Sequence, residues 1–384
     1  MPYNPQIETH SLYLHWPFCP YRCTFCPFVA LASHDQFMLR YKEALCKEIL
    51  QFASVSGHKQ KINTVFIGGG TPSTCPDEQI LDISGKLRSV FIFNEDAEFT
   101  IEVNPGTVTE SQLYLWKELG INRLSIGVQS LNDFVLKNLG RLQSSKDVFN
   151  LLNCAQKVFD NISVDLILGL PGVLESEWKK LLKTIVCWPI KHISIYFLTV
   201  HKDTKLYYRI KSKKIVLPNE DKLVDLYRWS VEFLSQKGFK QYEISNFAKP
   251  GYESKHNETY WERKSYKGFG LGACSFDGTK RFQNHKNLMI YLQGVERGEN
   301  IEILEEELTE EQIRLEKLML GLRRSKGIKC SELFDGLSQS KKHRVEKNLE
   351  LLKVKKLIFQ KDENLFLTLS GLAVENEIVV MLSV

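Results

Sequence analysis

The sequence lacks a long apolar run: none approaches the roughly 18 residues that a transmembrane helix needs. The first residues, 1–11, have neither the basic start nor the apolar segment of a secretory signal. Proline is scarce, with 12 among 384 residues, while 43% of the residues are hydrophobic, which excludes a collagen-like or disordered chain. We therefore expect a globular, cytoplasmic protein of one or two domains without a transmembrane segment.

A strong excess of one charge is also missing. The 51 Lys and Arg face 46 Asp and Glu, which leaves a formal net charge of +5. The basic clusters at 211–214 and 341–356 are better explained as solvated faces than as phosphate-binding patches. The sequence thus predicts no nucleic acid partner.

Cysteine is present but does not suit a disulfide framework, since nine cysteines is an odd count in a chain without a secretory signal. Six are scattered singly, whereas Cys19, Cys23 and Cys26 form a C-x3-C-x2-C array. Three thiolates without a fourth partner suit an iron–sulfur cluster with one open iron better than structural zinc, which usually has four protein ligands. The alternative, three buried small apolar side chains, fits poorly with a loop that contains Pro20.

Short apolar or β-branched runs alternate with helical stretches between residues 11 and 200. The runs are 11–18, 64–70, 98–105, 123–130, 162–171 and 192–200. Six such units predict an α/β fold with a parallel sheet, either open or curled into a partial (β/α)6 barrel. Ligands bind at the carboxyl ends of the strands in both architectures, so the polar residues there are candidates for a site.

The alternation fades after residue 200. We divide the chain into a core, 1–237, a bridging segment, 238–307, and a C-terminal α+β cover unit, 308–384. The last unit begins with a capping box, Thr309 with Gln312, and its three helices and hairpin resemble a winged helix. It lacks a clear basic recognition helix, which disfavours a DNA-reading role.

An ordered series of motifs accompanies the cysteine array. They are LYLHWPFCPYRCTFC (12–26), FIGGGTPS (66–73), IEVNPG (101–106), RLSIGVQS (123–130), LGR (139–141), DLILGLPG (165–172), YEISNFAKPGYESKHNETYW (242–261) and LMLGLRRSKGI (318–328). In these motifs the sequence resembles the radical SAM superfamily over nearly its whole length. More narrowly, it resembles the oxygen-independent coproporphyrinogen oxidase-like branch and, within that branch, the haem chaperone family HemW.

The resemblance implies a partial (β/α)6 radical SAM barrel in which Cys19, Cys23 and Cys26 hold a [4Fe–4S] cluster that binds S-adenosylmethionine. It implies a cofactor-binding set around the cluster and the strand ends: Tyr13, Phe25, Gly68, Gly69, Gly70, Thr71, Glu102, Gln129, Arg141 and Asp165. Residues 68–70 lack side chains, so the backbone can approach the cofactor amino group, and Thr71-Pro72 after them excludes a Walker phosphate loop.

The polar members of this set have chemistry that suits the cofactor. Glu102, Gln129 and Asp165 offer partners for an amino group and ribose hydroxyls, and Arg141 can contact a carboxylate. Taken singly, such strand-end residues often cap helices instead. Tyr13 and Phe25 are equally well explained as buried packing.

The HNETYW stretch matches the HNxxYW signature that the resemblance associates with haem binding. His256 could ligate haem iron, and Tyr260 and Trp261 could flank a porphyrin face. The alternative is a histidine that is hydrogen-bonded within a turn and packed by these two aromatic residues.

Departures from the branch pattern bear on the activity. Phe28 replaces a further cysteine of the porphyrinogen-oxidising enzymes, and only 18 residues precede Cys19, which points away from porphyrinogen oxidation. Other replacements of residues common in the family are Trp16, Pro27, Gln143, Phe197 and Cys274.

We expect a haem chaperone that uses a [4Fe–4S] cluster and S-adenosylmethionine and that transfers haem to an acceptor protein. Two alternatives stay open: a radical SAM enzyme that acts on a tetrapyrrole, such as an oxygen-independent coproporphyrinogen III dehydrogenase, and a winged-helix regulator with a sensor cluster. The expected partners are haem or another tetrapyrrole, a haem-acceptor protein and, with radical chemistry, flavodoxin or ferredoxin as electron donor. Catalytic turnover and the oligomeric state stay open.

Overall fold

The computed structural model of the chain describes residues 3–56 and 59–383. Its strands are β1 Ser11–Trp16, β2 Phe18–Cys19, β3 Leu31–Ala32, β4 Lys61–Gly69, β5 Ile92–Val103, β6 Arg123–Gln129, β7 Asn161–Leu168, β8 His192–Phe197, β9 Lys240–Gln241, β10 Asn246–Ala248, β11 Lys267–Phe269, β12 Cys274–Phe276, β13 Lys280–Asn284, β14 Glu302–Glu307, β15 Ile328–Lys329, β16 Ile358–Lys361 and β17 Asn364–Leu367. Its helices are α1 Met38–Ser56, α2 Asp77–Val90, α3 Glu110–Glu118, α4 Asp133–Asn138, α5 Ser145–Ala155, α6 Glu175–Ile185, α7 Lys205–Lys211, α8 Glu220–Gln236, α9 Lys255–Trp261, α10 Leu288–Arg297, α11 Glu310–Leu322, α12 Gln339–Val354, α13 Leu369–Leu372 and α14 Glu375–Leu382.

A nine-stranded sheet in the order β11-β1-β4-β5-β6-β7-β8-β10-β9 organises the molecule. The strands from β11 to β8 pair in parallel, and β10 and β9 continue the sheet antiparallel. The six predicted strands are β1, β4, β5, β6, β7 and β8, each linked to the next through helix. The sheet does not close on itself within the described residues, so the partial (β/α)6 barrel is confirmed.

The buried strands form because their apolar residues can be covered on both faces. In β6, Leu124 and Ile126 have no exposed surface, and each such burial contributes about 1.5–3 kcal/mol. The register of the sheet aligns Glu102 of β5 with Ser125 of β6, and Gly127 of β6 with Asp165 of β7. The packing of the core thus brings polar residues from three strands side by side.

The bridging segment is built into the sheet. It contributes β9 and β10 at one edge and β11 at the other, where Tyr13 of β1 pairs with Gly268. It also supplies all three strands of a smaller sheet, β12-β13-β14. The predicted boundaries at 237/238 and 307/308 stay predictions.

The C-terminal unit has its own apolar core, which includes Leu318, Val345 and Leu352. Its antiparallel sheet, in the order β15-β17-β16, and its helices confirm the winged-helix-like fold, and α11 begins with the predicted capping box. The Arg324 guanidinium donates to Glu258 of α9 and to Glu262, the residue directly after that helix, at 2.7 Å each, and so links this unit to the HNETYW helix. Among the helices that the structure describes, none is both long and apolar enough to cross a membrane.

Candidate cluster and cofactor site

A cavity of about 480 Å³ opens at the carboxyl ends of the parallel strands. Its walls come from the cysteine loop, the glycine turn after β4 and the ends of β5 to β8. Cys19, Cys23 and Cys26 all line it. The volume lies within the roughly 300–1,000 Å³ that small-molecule and cofactor pockets occupy.

The cysteine loop is fixed by backbone hydrogen bonds to two neighbouring segments. Thr24 N–H donates to Leu139 O at 2.8 Å, and Leu206 N–H of α7 donates to Thr24 O at 2.9 Å. The three cysteines form no disulfide. Burial raises the pKa of the Cys19 thiol to about 11 and also raises the pKa of Cys26. Within the described residues, no group of three or more His, Cys, Asp or Glu side chains has the geometry of a single-ion site.

A chain of hydrogen bonds connects the cluster loop with Arg141. The Thr71 hydroxyl donates to Cys19 Sγ at 3.3 Å, and Asn104 Nδ2 donates to Thr71 Oγ1 at 3.1 Å. Arg141 Nη2 donates to Asn104 Oδ1 at 2.8 Å and to Gly127 O at 2.6 Å. Because Nε donates to Gln143, the group left for a ligand is Nη1, which lies 4.0 Å from Cys23 Sγ.

Two carboxyl groups face the cavity beyond this chain. Glu102 Oε2 accepts a hydrogen bond from Gly69 N–H at 3.0 Å, and Asp165 Oδ2 accepts one from Ser125 at 2.8 Å. Burial, together with the neighbouring Asp165, raises the pKa of Glu102 to about 8, and burial also raises the pKa of Asp165. Asp165 Oδ1 is buried and has no hydrogen-bond partner among the described residues.

Gln129 enters the cavity from an unusual backbone conformation. Its φ is 64°, in the left-handed region that non-glycine residues adopt at a cost of about 1–3 kcal/mol. The pairing of β6 with β7 shifts between Gly127 and Gln129, which marks a bulge at this position. The irregularity directs the amide toward Gly127, whose Cβ, if present, would lie 3.2 Å from Gln129 Nε2.

Most of the predicted cofactor residues line the cavity, namely Phe25, Gly69, Gly70, Thr71, Glu102, Gln129, Arg141 and Asp165. Tyr13 and Gly68 do not: the Tyr13 hydroxyl lies 3.0 Å from His15 Nδ1, and Gly68 lies behind Glu102. Asp165 also differs from its predicted place at a strand end, because β7 continues to Leu168.

The predicted haem residues lie elsewhere, on α9 against β4. His256 is 1% exposed; its Nδ1 lies 2.8 Å from Thr64 Oγ1 and its Nε2 lies 2.8 Å from the Tyr260 hydroxyl. Both ring nitrogens are therefore engaged within the protein, and ligation of haem iron by His256 stays a prediction. Trp261 lies near the C-terminal unit, beside a different depression.

Of the residues that depart from the family pattern, some line the cavity and others lie outside it. Phe28, Pro27 and Phe197 line the cavity, and Phe28 and Phe197 are 63% and 42% exposed. Gln143 braces Arg141. Cys274 is an exposed thiol in β12, where its Sγ accepts a hydrogen bond from Gln283 at 3.3 Å.

Several cavity residues escaped the sequence analysis. Asn104 directly follows β5 inside the IEVNPG motif, and Ser125 lies within β6 inside RLSIGVQS, so their positions in these motifs were a usable signal. Tyr196 of β8 and His201, in the loop after that strand, also line the cavity, and the sequence carries no motif there.

The donor set defines what this cavity can hold. Three thiols from one loop can ligate an iron–sulfur cluster. Glu102 and Asp165 can accept from an ammonium group or hydroxyls, and the unpartnered Asp165 Oδ1 is the oxygen that such a ligand would satisfy. The turn at Gly70 admits no side chain, since a Cβ there would lie 2.5 Å from Pro17 O. These residues fit a cluster with a ligand that carries amino, carboxylate and hydroxyl groups.

Comparisons with known proteins agree with this donor set. Residues 13–185 match the model of the radical SAM superfamily. The chain is 34% identical to the haem chaperone HemW of Bacillus subtilis, over 96% of this chain and 97% of that protein, and 30% identical to HemW of Lactococcus lactis, over 97% and 96%. It is 26% identical to the solved coproporphyrinogen III oxidase HemN of Escherichia coli, with a TM-score of 0.84 over 98% of this chain and 91% of that one.

Proposed function

Since the chain belongs to the HemW family of the radical SAM superfamily, we propose that it is a haem chaperone that binds haem and transfers it to acceptor proteins. The observation that carries the proposal is the identity of at least 30% with haem chaperones over 96% and 97% of the chain, which includes the segments outside the superfamily match. The superfamily implies a [4Fe–4S] cluster and S-adenosylmethionine. A cytoplasmic location and a haem-acceptor partner belong to the same proposal.

Different residues of the cavity would bind the cluster and the S-adenosylmethionine. Cys19, Cys23 and Cys26 would ligate the cluster, and the Thr71 hydroxyl, as a donor to Cys19 Sγ, would tune it. When bound, the cluster and S-adenosylmethionine supply one-electron reductive cleavage of the sulfonium, for which flavodoxin or ferredoxin would be the electron donor.

The other polar groups would orient the sulfonium cofactor. Glu102, close to the Gly69 amide, would accept from the amino group, and Asp165 Oδ1 would accept from a ribose hydroxyl. Arg141 Nη1 would face the carboxylate. These roles follow from the donors and acceptors that the protein leaves unpaired around the cavity.

The raised pKa of Glu102 makes cofactor binding depend on pH. In the free protein Glu102 is mainly protonated below its pKa of about 8. An ammonium group favours the carboxylate, so binding lowers this pKa and releases a proton. Affinity for S-adenosylmethionine should therefore rise between about pH 6 and 7.5, by at most about tenfold per pH unit.

Calorimetric titration of the anaerobically prepared, cluster-loaded protein measures this dependence. The matched control is Glu102→Gln, which should bind more weakly and keep only the titration of the cofactor itself. Parallel pH profiles for the two proteins would contradict the assignment of Glu102.

A second candidate function is oxidation of a porphyrinogen, which the similarity to HemN brings into consideration. Phe28, which is exposed in the cavity wall, stands where the resemblance to that branch implies a further cysteine. A benzyl side chain can neither ligate iron nor transfer a proton. This substitution supports the chaperone over the oxidase.

Haem transfer tests the proposed function. The cluster-loaded protein is saturated with haem under anaerobic conditions, freed of excess and mixed with an apo-haem protein, and the Soret band is followed. We expect stable haem retention and then movement of haem into the acceptor. No haem binding by the cluster-loaded protein would overturn the proposal.

A further inference from the structure

The histidines of this chain differ in whether their ring nitrogens are available to a metal. Ring hydrogen bonds engage His10, His15, His34, His192 and His256. His343 lies 3.7 Å from a Glu346 carboxylate oxygen. His201 and His285 have no ring hydrogen bond or ion pair with any residue that the structure describes. Of these two, His201 lines the cluster cavity.

The position of His201 is fixed although its ring is unpartnered. It lies in the loop between β8 and α7, where its carbonyl accepts hydrogen bonds from Thr204 N–H at 3.1 Å and from Thr204 Oγ1 at 2.6 Å. The next turn is tied to the cysteine loop through the Leu206–Thr24 hydrogen bond. The imidazole is exposed, so a ligand at the mouth of the cavity can reach it without rearrangement of the backbone.

The wall beside this imidazole is apolar and exposed. Phe28 and Phe197 are exposed and line the cavity, and Ile167 of β7 lines it as well. Exposed aromatic surface on a concave wall favours a large, flat, apolar ligand, which covers it on binding.

The charge at the mouth complements the anionic edge of such a ligand. Arg22 is exposed, lines the cavity and has no acidic partner among the described residues. Its Nη1 donates only to a backbone carbonyl, Ala30 O, at 3.2 Å. Haem combines an apolar macrocycle with two carboxylates and an iron that takes a neutral imidazole, which are the three features this surface accommodates.

We propose that His201 is the axial ligand of the bound haem iron and that the macrocycle lies against Phe28 and Phe197 at the mouth of the cluster cavity. This assignment rests on the proposed function. A lone pair of a neutral ring nitrogen forms the Fe–N bond, and no proton is released from that atom. His256 is the less accessible imidazole in this conformation, because iron would have to displace either Thr64 or Tyr260 from a ring that is 1% exposed.

Hemin titration of the cluster-loaded, full-length protein tests the assignment. The variants are His201→Ala, His201→Gln and His256→Gln, with His285→Ala as the control that removes the other unpartnered imidazole. We expect hemin to bind His201→Ala roughly tenfold or more weakly, without the imidazole-ligated electron paramagnetic resonance signature. Added imidazole should restore that signature, and His201→Gln should also lack it.

The outcomes separate this assignment from the proposed function. Retention of the wild-type signature and affinity in His201→Ala overturns the assignment alone, as does loss of the signature in His256→Gln only. Failure of the wild-type protein to bind hemin overturns the proposed function and the assignment with it. Thermal unfolding of His201→Ala should match the wild type, since the exposed ring has no partner to lose.

Discussion

Replacement of Cys23 by alanine is expected to abolish the cluster, leaving iron and sulfide contents near zero after anaerobic reconstitution. Cys23 is one of three thiols that the fixed loop directs into one cavity. With two thiolates left, and with no further cysteine on the cavity wall that the structure describes, a [4Fe–4S] cluster loses the ligation it needs. Alanine is preferred to serine because an alkoxide can still bind iron.

The matched control is Cys187→Ser. Cys187 is an exposed thiol after α6, where its Sγ donates to Lys183 O at 3.6 Å. This variant should reconstitute with the same iron content and absorption spectrum as the wild type. A full cluster in Cys23→Ala, or an equal loss in the control, would contradict the assignment of the cysteine array.

The second large effect is expected from Gly70→Ala. A Cβ at this position would lie 2.5 Å from Pro17 O and 2.7 Å from Phe18 O, and both of these atoms belong to backbone. Gly70 N–H also donates to Trp16 O at 2.7 Å, so the glycine turn and the start of the cysteine loop cannot separate without losing hydrogen bonds. Overpacking of this kind costs about 1–3 kcal/mol.

The alanine side chain would also displace residues of the cofactor site. Thr71, the donor to Cys19 Sγ, is the next residue, and its own N–H donates to Phe18 O at 2.9 Å. Gly70→Ala should therefore lower the free energy of unfolding and also weaken S-adenosylmethionine binding by about tenfold or more.

Gly85→Ala provides the matched control for Gly70→Ala. Gly85 lies inside α2, and a Cβ there would meet no atom within 4 Å. This change should raise the free energy of unfolding by about 0.5–1 kcal/mol and leave the ligand affinity unchanged. Chemical denaturation and calorimetric titration measure the two effects. Wild-type behaviour of Gly70→Ala would contradict the close approach of these two segments.

The pattern of the sequence predicted the strands of the barrel because each of them contains consecutive buried residues. The run 123–130, for example, became β6, whose residues are buried except for the half-buried Gln129. In contrast, β11 spans only Lys267–Phe269 and pairs with β1, far away in the chain. A strand of three residues is too short to show an alternating pattern of apolar residues. Its pairing with a distant strand also cannot be predicted from the local sequence.

Among the residues of the site, too, those in local motifs could be predicted from the sequence, whereas properties that depend on distant contacts could not. Motifs with fixed spacing predicted the cysteines and most of the cavity residues, since strand ends in a parallel sheet converge. The hydrogen bond of His256 with Tyr260 agrees with the alternative that the sequence offered, whereas its contacts with Thr64 and Phe66 were beyond the sequence because these residues come from β4, on a distant part of the chain. His201 went unnoticed for a related reason: its exposure and its lack of a partner are properties of the folded loop.

The chaperone function is tested most directly by mass-spectrometric product analysis. The cluster-loaded protein is incubated anaerobically with S-adenosylmethionine, a reductant and coproporphyrinogen III, beside a parallel sample with haem. We expect coproporphyrinogen III to remain unchanged. In the parallel sample we expect haem to stay bound to the protein until an apo-acceptor takes it. Loss of carboxyl groups from the porphyrinogen would contradict the account and would make the protein an oxidase despite Phe28.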